Sequence, residues 1–290
     1  MKIDIKNKNS IRKAFGKTLA QLGSLNEKIV VMDADLACST QTKMFGDKFP
    51  DRFFDSGIAE QDMVATAAGL ASEGKIPFIA SFAMFATGRT YDQIRNSVCY
   101  PKFNVKIIGT HGGITVGEDG ATHQALEDIA LMRNIPNMQV IVPADCRECE
   151  EVIKYASLHD GPMYIRIARS NVADIFDEHY HFDFKKATVL EEGSDVTVVT
   201  NGETLAEALL AAENLKTEGI SVEVINVSVV KPLDSQTIID SAKKTNLVIT
   251  IENHSIIGGL GSAVCEALSE KFPTKVFRIG INDEFGQSGN

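Results

Sequence analysis

Short β-branched runs alternate with helix-length amphipathic stretches along nearly the whole chain, and that alternation stops once and restarts. KIVVMDA (28–34), PFIAS (77–81), VKIIG (105–109), MQVIV (138–142) and PMYIRIA (162–168) are apolar and bounded by turn residues, as strands buried on both faces are. Helical patterns lie between them at 11–22, 61–73, 90–98, 126–133 and 146–158. Strands separated by helices of this length are joined by crossovers, which make neighbouring strands parallel and cover both faces of the sheet. Residues 171–193 break the rhythm. They are polar and charged, without sustained period, and leave room for one short strand near 185–190. The alternation resumes at DVTVVT (195–200) and continues through 203–218, 220–227, 234–244, 247–253, 259–271 and 275–279. The predicted fold class is α/β: two consecutive three-layer α/β domains with mostly parallel sheets, residues 1–170 and 194–290, joined by a linker at 171–193.

A chain of 290 residues with 44% apolar and 23% charged content can bury two such cores. Its formal net charge of −10 argues against nucleic acid or an anionic membrane as the main partner, and no basic run interleaves with aromatics. The basic N-terminus, MKIDIKNKNSIRKAFGK, lacks the apolar core of a secretory signal. No stretch approaches the ~18 uninterrupted apolar residues of a membrane span. The expectation is a cytoplasmic protein.

Two segments carry the chemistry. HGGITVGEDGATHQ (111–124) follows the strand at 105–109 and gathers His111, His123, Glu118 and Asp119 on a glycine-rich loop. In sheets of this kind ligands sit at the carboxyl ends of the strands. FFDSGIAEQ, read as a buried run, brings Glu60 to the start of a helix. An acid in a dry site and a histidine-bearing polar loop suit proton transfer on a bound cofactor or sugar. Three other features have ordinary readings. Cys146-x-x-Cys149 at a helix start could be a redox pair, because a helix N-terminus lowers a thiol pKa, or simply two small residues in the first turns. His179 and His181 read as solvated linker residues with no third ligand near. SIIGGLG (255–261) fails the dinucleotide fingerprint, which needs glycine at Val264, and reads as a tight turn with close helix packing.

THGG with GEDGATHQ, IAEQ, ASFAMF (80–85), DADL (33–36), VPAD (142–145) and IARS (167–170) together resemble transketolase, and the chain is similar to the C-terminal half found in two-subunit, split forms. The likeness runs from about residue 10 to the end. It implies a pyrimidine-binding domain for thiamine diphosphate followed by a transketolase C-terminal domain, acting in transfer of a two-carbon ketol unit from a ketose to an aldose. In that family the position of Glu60 meets N1′ of the aminopyrimidine. An acid serving there must hold its proton near neutral pH, which calls for an apolar, desolvated setting. Phe82 and Phe85 match the positions that stack on the aminopyrimidine. His111, Asp119 and His123 match those around the sugar's carbonyl and hydroxyls, and Arg169 matches the clamp on a terminal phosphate. The second anion-binding position aligns with Lys43, and no counterpart of the serine that assists there is evident.

The family's metal and diphosphate motif, GDG, does not occur in this chain. The resemblance therefore implies that the diphosphate and its magnesium or calcium ion are held by an N-terminal, GDG-bearing partner subunit, in an α2β2 heterotetramer acting on sugars or sugar phosphates. No metal ligand is expected in this chain. Three readings stay open beside it: a 1-deoxyxylulose-5-phosphate synthase-like chain, a β subunit of a 2-oxo-acid dehydrogenase E1 component, and a non-catalytic subunit that kept the fold.

Overall fold

The structure, a computed structural model, describes residues 7–289. The first six residues of the basic N-terminus lie outside the described residues. Seven strands form the first sheet, in the order Val229–Lys231, Gln139–Ile141, Met163–Ile167, Lys106–Thr110, Ile76–Phe82, Ile29–Asp33 and Phe53–Asp55. All neighbours pair in parallel except Val229–Lys231, which runs antiparallel to Gln139–Ile141. The second sheet has five strands, Lys275–Ile281, Leu247–Ser255, Val196–Thr200, Val222–Asn226 and Thr188–Glu191, of which only the last is antiparallel.

Period-two alternation divides each sheet between two cores. In the first, Phe78, Ile108 and Ile165 face helices Ile11–Leu25 and Cys146–Leu158 through Phe15, Leu19, Val152 and Ile153. Their neighbours Ile79, Ile107 and Tyr164 face helices Glu60–Ser72 and Asp128–Asn134 through Met63, Ala67 and Met132. In the second sheet Val198 and Val224 pack on helix Thr204–Thr217, and Val199 and Ile225 on helices Ser235–Thr245 and Leu260–Lys271. Both sheets are thus three-layered, as the alternation predicts.

Several elements depart from the sequence reading. Val229–Lys231 belongs to the second half of the chain yet borders the first sheet. Residues 171–193 are more than a solvated connector. Val172–Ala173 pairs with Lys8–Asn9, and Ile175 and Phe176 are buried, their amides held by Asp145 at 2.8 and 2.7 Å. The short strand expected near 185–190 is Thr188–Glu191. The helix expected at 90–98 is instead a run of wide turns, Phe85–Arg89 and Ile94–Cys99, on either side of Tyr91–Gln93. Its cause is local: the buried hydroxyls of Thr87 and Thr90 bond back to the Ala83 and Ala86 carbonyls at 2.7 and 2.6 Å, which bends helical backbone.

The three features given ordinary readings are also resolved. Burial pushes the Cys146 thiol up to about 12 and Cys149 well above its ordinary value, and Asp145, which caps the helix start, adds to both shifts. Desolvation outweighs the helix N-terminus here. The Glu252 carboxylate accepts from the Leu260 and Gly261 amides at 2.7 and 2.8 Å, so the SIIGGLG turn is capped from within. His179 and His181 are exposed. Among the described residues no helix is long and apolar enough to cross a membrane.

Candidate active site

The parallel strands of the first sheet end on one edge, and the residues that follow them converge there. Phe82 closes its strand, His111 follows Thr110, Arg169 lies just past Ile167, and Glu60 opens the helix after Phe53–Asp55. Helix Ile11–Leu25 runs back against the sheet, so its N-terminus, with Arg12, reaches the same edge.

Glu60 is 4% exposed although the run before it is not buried as expected: Ile58 is 75% exposed and Phe54 is exposed too. Phe53–Asp55 is an edge strand with one unpaired side, and the loop after it stands open. Nor is the acid in an apolar setting. Nη1 of Arg89 lies 3.0 and 3.1 Å from its two oxygens. The Arg89 carbonyl accepts from Nε2 of Gln61 at 2.9 Å, and its guanidinium carbon sits 4.1 Å above the Phe85 ring. An open cavity of about 440 Å³ is bounded by Ile58, Ala59, Glu60, Gln61, Asp62 and Arg89. A larger cleft of about 550 Å³ lies in the second sheet's domain, along Leu209, Glu213, Lys216 and Glu191, away from these groups. Size does not locate the chemistry here.

Aromatic rings join this acid to the histidine loop. Phe82 and Phe85 lie 6.0 Å apart and nearly parallel at 17°. The His111 ring stacks on Phe82 at 3.8 Å, and the His123 ring meets Phe85 edge-on at 5.2 Å. His111 adopts a left-handed backbone (φ 61°), a conformation that costs energy for a residue with a side chain and that aims its ring inward. Its Nδ1 is 2.9 Å from the Thr110 hydroxyl. Burial, then the charges of Arg12, Arg169 and His123, lower its pKa from 6.5 to about 3. His111 is therefore neutral at physiological pH, with one ring nitrogen a donor and the other an acceptor. His123 Nδ1 is 2.9 Å from the Thr122 hydroxyl.

The structure brings together Glu60, Phe82, Phe85, His111 and His123, with Arg169 at the margin, 4.0 Å from Glu118. Asp119 stands exposed at the loop tip, and its carboxylate makes no hydrogen bond among the described residues. Lys43 is not drawn in. It is exposed on the short helix Lys43–Gly46 and paired with Asp47 one turn on. A cation whose charge does reach His111 is Arg12, which sequence reasoning missed and which no local motif marks. Its Nη1 donates to the Ser39 carbonyl at 2.6 Å, and burial followed by the charge of Arg169 holds its pKa below the ordinary value. Arg12 and Arg169 thus bring two positive charges close enough to act on each other and on a neutral histidine, an electrostatic setting that favours an anion. Arg89 was missed as well. Its one signal was the Thr87-Gly88-Arg89-Thr90 run, whose hydroxyls bond back into the preceding turn and widen it.

Known proteins share this chain's order of domains. Residues 7–174 match the family model "Transketolase, pyrimidine binding domain" and residues 185–290 match "Transketolase, C-terminal domain". A putative transketolase C-terminal section from Methanocaldococcus jannaschii is 51% identical, over 96% of this chain and 88% of its own length. A 6-deoxy-6-sulfo-D-fructose transketolase subunit from Clostridium sp. (strain MSTE9) is 44% identical, over 96% of this chain and 87% of its own. A subunit of an apulose-4-phosphate transketolase from Phocaeicola vulgatus is 38% identical, over 98% and 91%. A solved structure described as a split gene transketolase, inactive beta4 tetramer, superposes with a TM-score of 0.89 at 50% identity, covering 96% of this chain and 91% of that one. With both domain models matched in order and relatives covered over most of their length, the chain belongs to the transketolase family, as a C-terminal section of the split kind.

Proposed function

We propose that this chain is the C-terminal subunit of a thiamine-diphosphate-dependent transketolase, with residues 1–170 as its pyrimidine-binding domain and 194–290 as its C-terminal domain. The observation that carries the reading is Glu60: a buried carboxylate on an open cavity shared with Arg89, whose guanidinium covers the Phe85 ring, with His111 and His123 packed on the Phe82–Phe85 pair. These residues fit an aminopyrimidine, which needs a flat apolar face and an acid at one ring nitrogen. Thiamine diphosphate supplies, when bound, the nucleophilic carbon and electron sink that ketol transfer requires.

The chain's own residues take distinct parts in this reading. Glu60 holds a proton against N1′ once the Arg89 guanidinium is drawn off its oxygens. Phe82 and Phe85 bound the ring and exclude water. Neutral His111 donates to, or accepts from, the sugar's carbonyl and hydroxyl groups without bringing a charge, and His123 moves protons at the opposite side. Asp119 orients donor hydroxyls. Arg169 and Arg12 bind a terminal anion, in keeping with relatives whose names carry a sulfonated or phosphorylated sugar.

Among the described residues no group of three or more His, Cys, Asp or Glu could hold a metal ion. In this reading the diphosphate and a magnesium or calcium ion fall to an N-terminal, GDG-bearing subunit, in an α2β2 assembly. Co-expression with such a chain, followed by a screen of ketose donors and aldose acceptors, tests it. Ketose-dependent transfer is expected. Carbon dioxide release from pyruvate in its place would favour the synthase or E1 β readings.

A further inference from the structure

The loop that carries Asp119 and His123 is closed at its base and has almost no core of its own. Gly112 bridges Ala125, the Gly113 amide donates to the Ala125 carbonyl at 2.8 Å, and Val116 is its one buried aliphatic side chain. Glycines at 113, 117 and 120 all hold positive φ. Such a segment loses much conformational entropy when fixed, so something outside it must hold it.

Two anchors serve it. At the tip and exit, Ser288 Oγ donates to the Glu118 carbonyl at 2.6 Å and Gln124 Nε2 to the Gln287 carbonyl at 3.0 Å. The entry of the loop is held from the second sheet. Asn253, buried on strand Leu247–Ser255, accepts from the Ile114 amide at 2.9 Å through Oδ1. Its Nδ2 donates to Glu203 and reaches Thr115 Oγ1 at 3.4 Å, and Thr115 donates to the same Glu203 oxygen at 3.3 Å. The fit is close: a side chain added at Gly113 would collide with the Asn253 amide. The backbone joins in. Buried Arg166, paired with Asp128 at 2.9 Å, donates to the carbonyls of both Ala125 and Asn253, at 3.2 and 2.8 Å. One guanidinium thus ties the base of the loop to the strand that holds its first turn.

We infer that Asn253 is a positioning residue for the proposed reaction: through Ile114 and Thr115 it fixes the loop that presents Asp119 and His123. The inference rests on the function proposed above. It also gives the second domain a task in catalysis, although Asn253 touches neither the acid nor the aromatic pair. A side-chain amide is needed because one atom must accept from a backbone N–H while the other donates to a carboxylate.

The test uses the chain assembled with its GDG-bearing partner. Asn253→Ala should lower kcat/KM for the ketose donor by about 10²-fold, the scale of a misplaced catalytic group. Affinity for thiamine diphosphate should stay unchanged, since Glu60 and Phe85 lie outside the loop. Glu203→Gln, which keeps the shape and removes the charge, should give a smaller loss of the same kind and serves if Asn253→Ala does not fold. Hydrogen exchange of the chain alone should speed up within 113–124 and stay as in the wild type across strand Lys106–Thr110. That measurement reads the loop even if the wild-type pair transfers no ketol group, so the two readings fail separately. Unchanged exchange in 113–124, unchanged kcat/KM, or a loss matched by equal loss of cofactor affinity would overturn the inference.

Discussion

One nitrogen of Arg89, Nη1, lies 3.0 Å from one oxygen of Glu60 and 3.1 Å from the other, while the guanidinium carbon sits 4.1 Å over the Phe85 ring. From within the chain, Arg89 occupies the two surfaces the proposed aminopyrimidine would use, the buried acid and the Phe85 face, although it donates to the acid where the ring nitrogen would accept from it. Arg89→Met should therefore bind thiamine diphosphate more tightly in the assembled pair, by severalfold, because no guanidinium competes for Glu60. Titration calorimetry decides it; weaker binding would mean that Arg89 supports the cofactor rather than standing in for it.

Glu60→Gln keeps the packing and removes the acid. Turnover should fall about 10²–10⁴-fold, the range for loss of a general acid or base. The Arg89 side of the pair is half-exposed, so the stability cost should stay within about 1 kcal/mol. Steady-state kinetics beside urea unfolding checks both; near-normal kcat would remove Glu60 from its role.

Arg12→Ala and Arg169→Ala should each raise KM for a donor ending in phosphate or sulfonate by about tenfold to a hundredfold, from the ~1.5–3 kcal/mol of a hydrogen bond to a charged group. Their kcat should change little, and a donor with a neutral terminus should hardly respond. Lys43→Ala should leave all of these values alone. If Lys43 rather than Arg12 controls KM, the anion site has been drawn from the wrong cation.

Protonation of His111 offers a pH test. The unfolded residue takes up its proton near 6.5 and the folded one only near 3, so between those values the unfolded state binds more protons. This group's contribution to stability is complete above 6.5 and is lost as pH falls toward 3. Relative to a His111→Asn chain, the wild type should lose ground in urea unfolding at pH ~4.5 compared with neutral pH. A pH-independent difference would contradict the buried, neutral state.

Much of the frame was legible because hydrophobic doublets such as Phe78–Ile79 and Ile107–Ile108 can only serve a sheet covered on both sides. Glu60, His111 and His123 were legible from local motifs that fall after strands. Arg12 was not, because its place depends on the topology that returns a helix start to the edge of the sheet. Lys43 shows the converse: near the site in sequence order, it stands exposed on the short helix Lys43–Gly46. Arg89 lay hidden behind threonine hydroxyls that widen the turns and shift which residue faces inward. Asn253 meets its loop at a separation of 139 residues from Ile114, and no local pattern encodes that.

Val229–Lys231 crosses from the later half of the polypeptide to border Gln139–Ile141. A clone stopped near residue 190 would lack that border, and its truncated sheet would present an unpaired row of amides and carbonyls to any neighbouring molecule. The two halves are laced together, so severing them should yield aggregating fragments rather than independent modules.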